Sequence, residues 1–297
     1  ALASSVHIYF ILMCGIILLG YCLENIITTK RIERAVATLA AFLFCAGGTV
    51  AILGGGEEDI NIVADGFRKM SFNLNALFNP QGWSCLCQNL PLYDGGQHEG
   101  FAYLGVGGIL LLGVSTVSLL TCMKCKMILS RHYPEVIAVG VVMILALVTA
   151  LSPTVTMGNN ILYDFSLPAV IEKYWGAFRA TGRIGWILFY ILLLCSCIIL
   201  SKVFDRKISI IILIFCVALQ IYDIHNELIE RHNQYRDRVK LETVYENKYA
   251  DFWDPVGNND TIRHIMFAQP VSGINLYAFA DWALEKNKTL NYFYFAR

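Results

Sequence analysis

Long apolar runs decide what this chain can become. There are six of them: Val6–Leu23, Ala35–Leu53, Ala102–Cys122, Val136–Leu151, Ile184–Val203 and Ile208–Ile224. Asp, Glu, Lys, Arg and His occur only toward their ends. At about 1.5 Å of rise per residue, such runs span the hydrocarbon layer of a bilayer as helices, with Val136–Leu151 and Ile208–Ile224 the shortest. Only 15% of the residues are charged, against about a quarter in a soluble domain. The chain is therefore expected to be an integral membrane protein: mainly α, a polytopic bundle of about six spans over residues 1–224. The composition beyond 224 is that of a soluble protein, so a small α/β domain is expected over 225–297. A formal net charge of zero and the lack of a Lys/Arg cluster on a polar helix argue against a nucleic-acid partner.

Positive charge sets the orientation. The short loops 28–34, 123–135 and 202–207 concentrate Lys and Arg and are expected in the cytoplasm. That places loops 54–101 and 152–183, the amino terminus and the segment 225–297 on the opposite side. In the tail, Asp223 to about Tyr249 has a helical stripe, Ile262–Ala268 and Thr289–Ala296 have strand composition, and Asn275–Asn287 is amphipathic. Strand, helix, strand in that order predicts parallel pairing. The chain opens at Ala1 and stops in a strand-like pattern, so a longer protein cut at both ends is expected. Most of the ten cysteines lie in apolar runs and behave as small hydrophobes. Cys85 and Cys87 are too close for an unstrained bridge and are expected as free thiols. Cys122 and Cys125 form a lone CxxC without a second ligand pair. Asn259-Asp260-Thr261 and Asn287-Lys288-Thr289 match the glycosylation sequon, a match frequent by chance.

Two places could carry chemistry. In 152–183, Lys173, Arg179 and Arg183 supply positive charge, and Trp175, Phe178 and Trp186 supply aromatic surface. Guanidinium groups at the edge of a span must face headgroups, a wet cavity or an anion. Cation plus aromatic suits a sugar phosphate with a lipid tail, and interfacial anchoring needs the same residues. In 54–101, Asp94, His98 and Glu99 gather two carboxylates and an imidazole before the third run. One of them serves as a base or a hydroxyl ligand for a sugar, or the loop is solvated and Glu99 caps the following helix. No Walker loop, HExxH, GxSxG or paired-cysteine motif occurs. No cofactor is indicated, and a divalent cation is left open. Ionisable groups are missing from the run interiors, which disfavours a proton-coupled carrier.

Asn73-Leu74-Asn75-Ala76-Leu77-Phe78-Asn79-Pro80, His98-Glu99-Gly100-Phe101-Ala102-Tyr103-Leu104-Gly105-Val106-Gly107 and Phe178-Arg179-Ala180-Thr181-Gly182-Arg183-Ile184-Gly185-Trp186 resemble patterns of the bacterial membrane family called domain of unknown function 6311. Asn291-Tyr292-Phe293-Tyr294-Phe295-Ala296-Arg297 and Ser5-Val6-His7-Ile8-Tyr9 are similar to it too. Ile8 stands where a proline is common, and Ile184 and Gly185 replace an aromatic pair. The resemblance implies a bacterial inner-membrane protein with a larger helix bundle and an outer carboxy-terminal domain. Its layout looks like that of glycosyltransferases of the C fold class, which take sugar from a polyprenyl-phosphate donor. Their catalytic carboxylate lies in the first external loop, expected here to precede Ala1, so the catalytic base is unassigned and the fragment alone is expected to be inactive. Substrate-binding candidates are Arg179, Arg183, Lys173, Asp94, Glu99, His98 and Tyr103. A lipid or polysaccharide transporter without catalysis and a structural membrane subunit are the rival expectations.

Overall fold

The computed structural model describes residues 7–52, 64, 66–244, 250–267, 280 and 282–291. Its elements are α1 (Ile8–Thr29), α2 (Ile32–Ile52), α3 (Gly105–Thr121), α4 (Met123–Arg131), α5 (Tyr133–Leu151), β1 (Thr154–Met157), β2 (Asn160–Asp164), α6 (Ala169–Trp175), α7 (Trp186–Val203), α8 (Arg206–Val244), α9 (Ala250–Gly257), β3 (His264–Ile265) and β4 (Thr289–Leu290). Two 3-10 turns, Gly95–Gly100 and Thr181–Gly185, lie between them. Among the described residues five helical stretches are long and apolar enough to cross a membrane, namely α1, α2, α5, Thr181–Val203 and Arg206–Arg236. Helix α3 is apolar but has only 17 residues. The chain is a multi-pass membrane protein with a small strand-containing carboxy-terminal region.

Three boundaries differ from the sequence expectation, each for a local reason. The third run is helical only from Gly105, because Phe101–Leu104 carry no helix and Gly105 takes a left-handed φ of 74°. The fourth span starts earlier, at Tyr133, with a proline in its first turn, where the missing N–H costs nothing. The sixth run and the predicted tail helix form one element, α8. No glycine or proline interrupts Arg206–Val244, so nothing breaks the ladder.

The chain divides into two compact units, Ala1–Glu227 and Leu228–Arg297. In the first, α1 packs on α5 and α2, and α3 packs on α7. Small residues make these approaches close, as membrane helices need without a hydrophobic drive between them. A methyl on Gly20 of α1 would sit 2.3 Å from Cγ2 of Val142 on α5, and one on Gly107 of α3 would sit 2.1 Å from the Cys216 carbonyl of α8. Hydroxyls inside the helices find backbone partners: Ser115 bonds to the Leu111 and Ser196 carbonyls, at 2.8 and 3.1 Å. One core joins Tyr9, Met13 and Ile16 of α1, Val142, Ala146 and Ala150 of α5, and Ile187 and Leu188 of α7, and it extends into the loops through Phe72, Ala180 and Ile184.

Segment 152–183 is not a plain loop. Antiparallel β1 and β2 close on Gly158-Asn159, with Met157 opposite Asn160 and a bulge between Val155 and Thr156. Gly158 supplies the positive φ of 62° that a two-residue hairpin loop requires. Buried Asn73 grips this turn, donating from Nδ2 to the Gly158 carbonyl at 2.8 Å and accepting from its N–H at 3.0 Å. Gln97 is the hub of the same network, donating to Thr156 Oγ1 and Ser71 Oγ and accepting from Asn73 and the Tyr93 N–H. Asn79 closes the loop further on through Leu90. The asparagine-rich stretch is a scaffold of buried amides.

In the second unit β3 and β4 pair in parallel. Trp253 of α9 meets Trp282 edge to face at 5.5 Å, beside the helical residues 282–285. Residues 286 and 287 form a turn, and positions 275–279, 281 and 292–296 of the predicted 275–287 helix and 289–296 strand lie outside the described residues. Asn259 is exposed, and its side-chain oxygen accepts from the Thr261 N–H and hydroxyl.

Candidate anion-recognition site

The turn Thr181–Gly185 sits where α1, α5 and α7 meet the loop 66–104. Glycines make this possible. A methyl on Gly182 would lie 2.9 Å from Cα of Gly100, one on Gly100 3.1 Å from Cα of Gly182, and one on Gly185 2.3 Å from the Phe72 ring. The backbones therefore touch directly, and the Gly182 N–H donates to the Met70 carbonyl at 3.0 Å. This contact brings Arg183 to Glu99. Nε of Arg183 donates to Glu99 Oε2 at 2.9 Å, and Nη2 donates to the same oxygen. Arg179 Nη2 stands 3.9 Å from the other oxygen. The Arg183 guanidinium also lies over the Tyr9 ring, 5.4 Å from its centroid. Tyr9 is held in turn by its hydroxyl, which accepts the Ala180 N–H at 2.6 Å, and by Phe178, edge to face at 5.4 Å.

Arg179, Arg183 and Glu99 are each partly buried, at 34%, 26% and 18% exposure. Two guanidinium groups thus share one carboxylate among the described residues, in a place that solvent reaches and a tyrosine face lines. A guanidinium has more N–H donors than one carboxylate oxygen can take. A planar fork of this kind suits phosphate or carboxylate oxygens.

A family model described as a domain of unknown function (DUF6311) matches residues 1–225. The chain belongs to the DUF6311 family. That match includes both arms of the site, the Glu99 turn and the Arg183 turn. No curated protein and no solved structure matches the chain.

Not every sequence candidate of this DUF6311 chain converges. Glu99 does not cap the following helix, because it is committed to Arg183. Asp94 instead caps its own turn, accepting the Gly96 N–H at 2.7 Å. His98 is exposed and its Nδ1 lies 2.7 Å from the Gly95 carbonyl. Lys173 is exposed on α6. The expected acid and imidazole cluster is therefore one carboxylate, with its neighbours facing elsewhere. Cys85 and Cys87 are free thiols.

Tyr103 belongs to a second cluster, which sequence reasoning missed. Asp223 of α8 is fully buried. Its Oδ2 accepts from the Tyr103 hydroxyl at 3.0 Å and the Val106 N–H at 3.1 Å, and its Oδ1 accepts from the Ser84 hydroxyl. Gln220, one turn earlier, accepts from the Gly108 N–H at 3.3 Å. Burial pushes the Tyr103 phenol above the usual tyrosine range, and the adjacent carboxylate adds to this. The signal was present in sequence: one acid at the end of the run 208–224, where an ionised side chain demands a named partner.

Proposed function

We propose that this chain is part of a membrane glycosyltransferase-like protein that uses a polyprenyl-phosphate-linked sugar for cell-envelope glycan synthesis in a bacterial inner membrane. The positive loops 28–34, 123–135 and 202–207 face the cytoplasm in this reading, and the Arg179/Arg183 end of the bundle and the carboxy-terminal region face away from it. The observation that carries the reading is the pair of guanidinium groups meeting a single carboxylate at the end of a membrane bundle. Arg183 and Arg179 hold the donor phosphate through charge-assisted N–H bonds. Tyr9 supplies an aromatic floor under Arg183. Glu99 fixes the fork in place before the ligand arrives and borders the sugar.

The test is Arg183→Ala in the full-length protein, with surface glycan and binding of a labelled polyprenyl-phosphate sugar both measured. Loss of both is expected. Unchanged glycan and unchanged binding would remove the arginine from the mechanism, and with it the proposal.

A further inference from the structure

Segment 165–175 exposes a run of large apolar side chains among the described residues. Phe165, Val170, Ile171 and Tyr174 are 46%, 68%, 48% and 62% exposed. Exposed apolar side chains close together on a soluble protein would suggest a partner site; here their height in the fold identifies the partner. Trp175 ends α6, and its Nε1 donates to the carbonyl of Thr149 at 3.2 Å. Thr149 lies inside the span α5, two residues before its last residue, Leu151, which is about 3 Å of helix. The other end of the segment is tied just as low, since the Phe165 N–H reaches the carbonyl of Pro153. The segment is therefore pinned at both ends to the carboxy-terminal end of α5 and the residues just after it.

Its charges are sorted to match. The acids Asp164 and Glu172 are both drawn to Arg68, at 2.9 and 3.2 Å. Arg68 takes a left-handed φ of 74°, unusual for a residue with a side chain. What remains outward is Lys173 among aliphatic and aromatic groups. A short amphipathic element with exposed Val, Ile and Tyr, one lysine and a terminal Trp is the composition of the headgroup boundary.

We infer that α6 and the residues leading into it lie in the interfacial layer of the bilayer at the end of α5, with Phe165, Val170, Ile171 and Tyr174 on acyl chains and Lys173 among anionic headgroups. The partner is a lipid surface. Neither a second copy of the chain nor another protein covers this face. This inference does not depend on the glycosyltransferase reading.

The experiment places a spin-labelled noncanonical residue singly at 170, 171 and 174 of the full chain in vesicles of phosphatidylethanolamine and phosphatidylglycerol. Each position already carries an exposed side chain, so the label disturbs no packing. Collisions with oxygen and with a water-soluble nickel chelate are compared with those at Ile144, an exposed position within α5. Frequent oxygen collisions and loss of nickel collisions, approaching the Ile144 ratio, are expected. Frequent nickel collisions put the face in water and overturn the inference. Low collision rates with both reagents mean that protein covers it, which overturns the inference equally.

Discussion

Replacing Asp223 is the sharpest test of how loop 66–104 is held to the bundle. The carboxylate stands at the start of α3, a helix whose own N-cap residue, Leu104, offers no side-chain bond. Helix starts leave backbone N–H groups unpaired, and Asp223 from α8 takes the one at Val106. Asp223→Ala leaves that fixed donor without a partner, which costs about 1–3 kcal/mol. Losing a negative charge at a helix N-terminus adds about 0.3–1 kcal/mol. The Tyr103 and Ser84 hydroxyls can rotate, so they contribute at the low end of the hydrogen-bond range, and a total of about 2–4 kcal/mol is expected. Asp223→Asn keeps an acceptor but turns an N–H₂ toward a donor, and falls between wild type and Ala. Unfolding in mixed micelles of increasing sodium dodecyl sulfate, followed by tryptophan fluorescence, gives the difference. If Asp223→Ala unfolds within about 0.5 kcal/mol of wild type, the range of an ordinary surface change, the cross-helix cap is not what holds the loop.

Gly107→Ala should destabilise by about 1–3 kcal/mol, because its methyl meets the Cys216 carbonyl, whereas Gly113→Ala, with nothing within 4 Å, should be neutral in the same assay; equal effects would contradict the close α3–α8 approach. Tyr103 loses stabilisation toward alkali: its phenol is raised in the folded state, so its contribution is intact below pH about 10 and falls as pH rises beyond it. Tyr103→Phe should therefore flatten the alkaline decline of the unfolding midpoint, and a parallel curve would count against the assignment. Glu99→Gln removes the charge that fixes the Arg183 fork, and weaker binding of the labelled donor is expected, up to about fivefold for a partly exposed pair worth about 1 kcal/mol. Tighter binding would mean that the carboxylate competes with the ligand rather than preparing the fork for it.

The spans were legible because the signal that defines them, length without charge, is local. What the apolar runs could not convey is where the helix starts inside them: Gly105 sets α3 through backbone geometry, and hydropathy is blind to that. The hairpin was foreshadowed by Gly158-Asn159, but Ser152-Pro153 before it and the exposed β2 after it read as loop. At the site, Arg179 and Arg183 stand out in the sequence by charge beside aromatic residues and Glu99 by its acidic and imidazole neighbours, but only the fold brings the two groups together. His98 sits next to Glu99 in sequence and Asp94 five residues before it at the cap of the same turn, yet the 3-10 turn Gly95–Gly100 sends their side chains in different directions. Asp223 escaped notice because its partners, Ser84, Tyr103 and Val106, lie more than a hundred residues away. Non-local pairing leaves no periodic trace.

Glu99 and Arg183 each stand next to a glycine, and those two glycines are the point where the chains cross. The separation of the opposite charges is thus set by main chain against main chain, with no side chain acting as a spacer. Charge at either neighbour can be altered without moving this pivot. A single methyl at Gly100 or Gly182 would instead wedge the two turns apart and widen the gap between acid and base, though neither charged residue had been touched.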